Sequence, residues 1–457
     1  MKELVCFLAN LLRDSGWNAV LKRASLSSAS LRRSLAGFAG AALCLLAGLA
    51  ELAEAASPRA GTLDRAYGSK GLMRQELRAL SSLRPEWFAV DGSLSVPVLQ
   101  DGETYQVCRL GVEGRIDTSF GHDGFIDTRM VVLTQISVRP GGHTLVVGRD
   151  SFKEMPLRLD QYMREGTLDP SFGEKGSALL PLNRGVEDMA CNTSGRILIL
   201  ARTQSDLEHG NLVVFAFRSD GQVEAEFGVG GIVELPNERL QPQEIHAFPD
   251  GGALILSRSL FPDPSRFRVT KLDGNGALDP TFGDGGQLEL GLRTRACRLL
   301  TLSDGRFVAS GYDPTSRSVL RVQRRLADGA LDTSFGAGGE IAVPLAFPNS
   351  VGFVTGAAPD GSLLACGAYG SARLPGNQAF LMALRPDGAV HRGFGKRGLV
   401  VTRLGSSAQW RLTRVDARGG VIAVGVGAAS RGGSFVLGRF HGFPEWATPK
   451  PPLGAKN

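Results

Sequence analysis

Residues Gly276–Gly286 read GALDPTFGDGG, and six other stretches repeat the same phrase, Gly-x-Leu-Asp-x-x-Phe-Gly-x-x-Gly. They are GTLDRAYGSKG from Gly61, GRIDTSFGHDG from Gly114, GTLDPSFGEKG from Gly166, GQVEAEFGVGG from Gly221, GALDTSFGAGG from Gly329 and GAVHRGFGKRG from Gly388. Successive copies start 52 to 59 residues apart. A fixed period of this order marks a chain built from copies of one supersecondary unit, each too small to bury its apolar faces alone. Three copies depart from the pattern: Tyr67 replaces Phe, while Glu224 and His391 replace Asp.

Between the phrases the signals recur in one order. A short apolar strand follows each phrase, as in GIVELP from Gly231 or GLVVTRL from Gly398. A second segment closes on Asp-Gly or Ser-Gly, for example RLLTLSDG from Arg298, which marks a hairpin turn between apolar runs. The third segment is the most apolar, as in RILILAR from Arg196. A loop of variable length then leads to a fourth strand of alternating pattern, such as NLVVFAFR from Asn211. Seven units of four strands predict an all-β, seven-bladed β-propeller around a central channel. The first phrase has no fourth strand before it, and the last fourth strand, Phe435 to Phe440, has no phrase after it. The chain ends are therefore expected to meet at one seam. Which strand of a unit lies innermost stays open, and an open solenoid is the rival architecture, requiring polar caps that the sequence does not display.

The sevenfold phrase resembles the delta-60 repeat, a family of bacterial β-propeller-like repeats, over nearly the whole chain after residue 56. The resemblance implies a propeller of the kind common in exported proteins. It implies no activity and no catalytic residues.

Within the phrase, Asp64, Asp117, Asp169, Asp279 and Asp332 stand where a carboxylate accepts backbone N–H groups two residues on, forming an Asx-turn. Phe120, Phe172, Phe227, Phe282, Phe335 and Phe394 are the expected plugs between adjacent sheets, each followed by a Gly suited to positive φ or close approach. A ring of calcium sites is the functional rival, but one carboxylate per turn falls short of the six to eight oxygens calcium takes. No metal and no cofactor is expected.

The N-terminus reads differently. Arg32-Arg33 precedes an apolar run at 34–50, and Ala53-Glu54-Ala55 supplies a small-x-small site. This is the make-up of a secretory signal peptide covering residues 1–55, with an unusually long basic region. Export to the periplasm or beyond follows; the alternative is an uncleaved anchor at 34–50, the one circumstance in which a membrane is a partner. The propeller is assigned to 56–443 and a Pro-rich tail to 444–457. Residues 1–55 contain six Lys or Arg and four Asp or Glu, so the formal charge falls from +6 to +4 without them. That mild excess excludes a nucleic-acid binder, which needs a dense basic patch. A monomer is expected. Cys108, Cys191, Cys297 and Cys366 fall in different repeats without metal spacing and read as small buried hydrophobes.

Function is less legible. The six histidines are scattered, and no nucleophile elbow, zinc motif or phosphate loop occurs. The loops between third and fourth strands carry basic residues, Arg149 and Lys153, Arg202, Arg258 and Arg266, Arg317, Arg373 and Arg431. Variable insertions of a repeat fold map to one face, often the binding face. Trp87 and Trp410 fall in the first and last units, and Trp446 lies just beyond; they form a seam cluster, either packed or presented to a partner. These features suggest a binding or scaffold module for a protein, an anionic polysaccharide or a lipid headgroup. The alternative is a carbohydrate- or lactone-acting enzyme at the channel, with Asp127, Glu234, Glu289 and Glu340 as channel candidates. A purely structural envelope component is the third reading.

Overall fold

The computed structural model describes residues 58–447 apart from 76–87, 89–91, 101–103, 140, 152–155, 183–184, 204–210, 237–238, 261–262, 264–265, 314–318, 346–349, 370–377, 405–408 and 430–431. The leader expected at 1–55 and the tail beyond Ala447 lie outside the described residues, as do Trp87, Lys153, Arg317, Arg373 and Arg431. Every strand belongs to one compact unit, Ala60–Asn457.

The first phrase leads into β1 (Leu72–Gln75). Blade 1 follows with β2 (Leu94–Gln100), β3 (Thr104–Leu110) and β4 (Phe125–Met130); Phe88, ahead of β2, bridges to Leu94. Blade 2 holds β5 (Val132–Val138), β6 (Thr144–Arg149), β7 (Arg158–Tyr162) and β8 (Ser177–Leu179). Blade 3 holds β9 (Val186–Cys191), β10 (Ile197–Arg202), β11 (Leu212–Phe217) and β12 (Ile232–Leu235). Blade 4 comprises β13 (Leu240–Ala247), β14 (Ala253–Ser259), β15 (Phe267–Leu272) and β16 (Gln287–Glu289). Blade 5 comprises β17 (Cys297–Thr301), β18 (Phe307–Tyr312), β19 (Val319–Arg325) and β20 (Glu340–Pro344). Blade 6 has β21 (Val351–Ala357), β22 (Leu363–Tyr369), β23 (Gln378–Leu384) and β24 (Leu399–Arg403). Blade 7 has β25 (Gln409–Val415), β26 (Val421–Ala429) and β27 (Gly432–Phe440), and β1 is its fourth strand. The fold is a seven-bladed β-propeller of antiparallel meanders.

The seam closes by strand exchange. Leu72 to Gln75 pair with Gly438 to Phe435, so the N-terminal strand completes the last blade. The first phrase then sits on blade 7 as every other phrase sits on its own blade: Leu63 bridges Phe440 just as Ile116 bridges Leu110 and Leu278 bridges Leu272. Closure of this kind leaves no exposed sheet at either end of the ring, which removes the need for the caps of an open solenoid.

The first strands of neighbouring blades, from β5 and β9 round to β25, touch one another and line the centre. The strand that follows each phrase is therefore the outermost of its blade. Sequence unit and blade are out of phase by one strand, and the variable basic loops run between the second and third strands of a blade. The apolar core is divided into clusters that straddle blade boundaries. One joins Leu145, Val147 and Leu159 of blade 2 to Ile197, Ile199 and Phe215 of blade 3 around Phe172. Each sheet buries both faces only because its neighbour covers them.

Candidate functional site

The phrase lies between the third and fourth strands of each blade. Asp64, Asp117, Asp169, Asp279 and Asp332 each accept the backbone N–H two residues on, at 2.9–3.1 Å. Where that residue is Ser or Thr, its hydroxyl donates to the same carboxylate oxygen at 2.5–2.6 Å. The Phe N–H then closes the turn on the Asp carbonyl, as Phe335 does on Asp332 at 2.9 Å. All six phrase phenylalanines are fully buried. The next Gly reaches the following blade: Gly121 donates its N–H to the Glu165 carbonyl at 2.6 Å. Its φ is +55°, and a Cβ there would lie 2.1 Å from the Phe125 carbonyl oxygen, so only Gly fits.

A cation rides on this turn in most blades. The carbonyl of the residue at the end of the third strand accepts the N–H of the phrase's acidic residue, and its side chain covers the phrase Phe. Arg109 stands 3.9 Å over Phe120, Arg324 4.7 Å over Phe335 and Lys271 5.7 Å over Phe282. Arg324 and Lys271 also pair with Asp332 at 2.8 Å and Asp279 at 2.9 Å. Blade 7 pairs Arg439 with Asp64 and Asp416. In blade 3 the position is Ala216, and the longer Glu224 is met by Arg196 from the second strand at 2.5 Å. In blade 6 the position is Ala383 and the acid is absent: His391 stacks 4.0 Å from Phe443 instead. In blade 2 the position is Gln161, whose amide donates to Asp169 at 2.7 Å; a side-chain donor thus meets the phrase carboxylate with or without a cation, which marks the phrase as scaffold.

The channel follows different rules. Register places Asp188, Glu244 and Arg298 at one equivalent position of blades 3, 4 and 5, opposite Leu200, Leu256 and Ser310. Asp188 accepts the Ile245 N–H of the next blade at 2.9 Å, and Glu244 accepts the Leu299 N–H at 2.9 Å. Arg298 has no acceptor atom for this task, and the Ser310 hydroxyl takes the Val354 N–H at 2.8 Å in its place. Arg298 is thereby released from holding the ring. Asp188, Glu244, His246, Arg298, Thr301, Thr355 and four aliphatic side chains from blades 3 to 7 enclose a cavity of about 260 Å³. Burial pushes the Glu244 carboxyl up, but the His246 hydrogen bond, the Arg298 and His246 charges and the Leu299 N–H together bring it below its ordinary value. His246 Nε2 lies 3.5 Å from Glu244 Oε2.

The expected channel carboxylates are elsewhere. Asp127, Glu234, Glu289 and Glu340 sit on β4, β12, β16 and β20, each the outermost strand of its blade. Glu234 accepts from Asn211 at 2.5 Å, Glu289 from Arg268 at 2.7 Å and Glu340 from Gln323 at 2.5 Å, while Asp127 caps the Arg129 N–H. The phase shift of one strand explains the error. Arg202 is no loose loop cation: it ends β10, its side chain is 13% exposed, and it pairs with Glu187 at 2.6 Å. Arg149 and Arg258 are half-buried near the same ends of β6 and β14, and Arg266 is exposed. Trp410 is 1% exposed and meets Phe440 edge-on at 6.0 Å, so it packs the seam and presents no face to a partner. Trp446 is fully buried, with Nε1 donating to Asp360 at 2.9 Å, so the packed domain reaches past residue 443. Cys108, Cys191, Cys297 and Cys366 are thiols, with Cys108, Cys297 and Cys366 buried. Among the described residues no group of three or more metal-ligating side chains gathers, and no helix is long and apolar enough to cross a membrane. Sequence reasoning missed Asp188, Glu244, His246 and Arg298; the only signal was their loss of repeat identity in an otherwise repeated strand.

No family model matches the chain, and no curated protein matches it. Solved structures do. A protein of unknown function from Dyadobacter fermentans shares 11% identity, with 82% of this chain and all of that one covered at a TM-score of 0.39. A protein of unknown function from Bacteroides caccae shares 13%, covering 67% of this chain and 98% of that one at 0.36. A subtype N10 neuraminidase-like protein of A/little yellow-shouldered bat/Guatemala/060/2010 shares 11%, covering 67% and 95% at 0.39.

Proposed function

We propose that this propeller is an exported binding module whose partner is an anionic surface polymer. The observation that carries the reading is the guanidinium of Arg298, which lines the central cavity and makes no hydrogen bond among the described residues. Its charge faces Glu244 at 3.9 Å, beyond hydrogen-bond length, so its five donors stay open to a ligand's acceptor. The opposing carboxylates, Asp188 and Glu244, each accept a backbone N–H of the neighbouring blade, which leaves Arg298 as the guanidinium donor of the lining. The excess of Lys and Arg over Asp and Glu favours approach of a polyanion. Export rests on the basic, apolar and small-residue order of residues 1–55. N-terminal sequencing of the protein recovered from the envelope or medium should begin near Ala56; a start at Met1 contradicts it.

The binding reading is tested by retention on immobilised polyuronate, polysulfate and neutral glucan, with the rim variant Glu234→Gln, Glu289→Gln alongside. Retention on polyuronate that falls with salt, unchanged in the rim variant, is the expected result. Equal retention on neutral glucan, or none on any polymer, overturns it. The rival, an enzyme at the channel, finds its observation in the His246–Glu244 pair, since a carboxylate that orients an imidazole is the arrangement of a general base. Turnover of a sugar or lactone lost in His246→Gln would favour that rival.

A further inference from the structure

We infer that the central cavity is a subsite for one carboxylated sugar ring, its carboxylate held by Arg298. The inference rests on the binding reading above and narrows it to a ligand and a place.

The argument begins with what Arg298 lacks. Its side chain is 24% exposed, and its nearest carboxylate oxygen, Glu244 Oε1, lies 3.9 Å from Nε, beyond hydrogen-bond length. The guanidinium is held 5.5 Å over the Phe353 ring, which is itself met edge-on by Tyr312. The cation is therefore positioned but unsaturated. Arg411 is the second charge. It sits at the bulge between Trp410 and Leu412, and among the described residues its hydrogen-bond acceptor is the Gln409 amide oxygen, at 2.6 and 3.0 Å once that amide is turned to face it. Burial first, and the Arg298 charge second, push the Arg411 guanidinium below its ordinary value. Arg411 does not line the cavity, but its charge and that of Arg298 repel, and an oxyanion held on Arg298 relieves that repulsion. A planar fork favours a carboxylate, which it binds through two parallel hydrogen bonds.

The remaining lining selects the rest of the ligand. Glu244, Asp188, His246, Thr301 and Thr355 offer hydrogen-bonding atoms, and Leu299, Leu300, Val354 and Leu412 offer apolar surface. A ligand that presents hydroxyls on its edge and C–H groups on its faces matches that alternation. The volume of about 260 Å³ lies below the ~300–1,000 Å³ of clefts for drug-sized molecules, which restricts the occupant to about one ring. The position is also where the repeat is broken: Asp188 and Glu244 serve the neighbouring blade, and Arg298 does not.

Calorimetric titration of the exported full chain with glucuronate, glucose, acetate and inorganic phosphate tests the proposal, with polyuronate retention measured in parallel. Glucuronate should bind, and glucose, acetate and phosphate should each bind at least about tenfold more weakly. Arg298→Met should weaken glucuronate by about tenfold to hundredfold, and Arg298→Lys by less. Arg298 pairs with Glu244 and lies over Phe353, so Arg298→Met should lower the unfolding temperature, whereas Arg298→Lys keeps the charge beside Glu244 and separates loss of a ligand group from loss of the fold. Glucuronate binding equal in wild type and Arg298→Met overturns the assignment, as does acetate or phosphate binding as tight as glucuronate. Polyuronate retained without any monosaccharide binding overturns this subsite and leaves the binding reading standing. Retention lost together with monosaccharide binding in wild type removes both.

Discussion

At residue scale the phrase shows why seven copies stay alike and where they are free to differ. Asp332 accepts from the Ser334 N–H, the Ser334 hydroxyl, Arg324 and Arg306 at once. Replacing it with Ala strands a buried Arg324 and should cost about 3 kcal/mol of unfolding free energy, read from urea denaturation. Arg418→Ala, which removes an exposed 3.8 Å pair with Glu113, should leave the curve unchanged. Tyr67 is the informative exception among the plugs. Among the described residues its buried hydroxyl has no hydrogen-bond partner, and burial pushes its pKa well up. Tyr67→Phe should therefore stabilise the chain by about 1 kcal/mol, and a destabilised variant would show that the hydroxyl is satisfied. The same carboxylates set the acid limit. Hydrogen bonds from Thr281 and Lys271 hold Asp279 down to about 2 against an ordinary 3.8, and Asp332, Asp64 and Asp169 shift in the same direction. The unfolded chain binds more protons in that window, so the stabilisation is complete above about pH 4 and is lost as pH falls through about 2. Circular dichroism during acid titration should show that loss, and Asp279→Asn should shrink it.

At the scale of elements, the number and type of strands were readable because hairpin signals recur between apolar runs and because the phrase recurs. The phase was not. An outermost strand such as β12 and an inner strand such as β9 are both short and mix apolar with acidic residues, and nothing in four to six residues says which one faces the axis. The seam resolves it: β1 pairs with β27, so the strand after a phrase must close the blade before it. Removing residues 1–75 would take away that fourth strand along with Tyr67 and Asp64. Such a chain should lose cooperative unfolding and bind hydrophobic dye; retention of the full-length transition temperature would contradict strand exchange. Trp446 closes the other end by docking against Phe394 and Phe443 at 6.1 and 4.9 Å. Trp446→Ala should cost about 3–5 kcal/mol by opening a cavity beside blade 6, checked by the same denaturation.

At the scale of the whole molecule, repetition and its failure divide scaffold from site. Positions that solve the same local problem seven times carry the same residues, and this is why the propeller was legible. Channel positions meet different neighbours in each blade, so Asp188, Glu244 and Arg298 share a register but no identity, and a search for repeated motifs passes over them. Glu234 and Glu289 were visible as strand carboxylates and were assigned to the wrong wall. The most direct test of a ligand held at the centre of the ring is hydrogen–deuterium exchange of the full chain with and without polyuronate. Slowed exchange should concentrate in β13, β17, β21 and β25, the strands that line the cavity. Slowed exchange confined to the outermost strands β12, β16 and β20, with the centre unchanged, would contradict it.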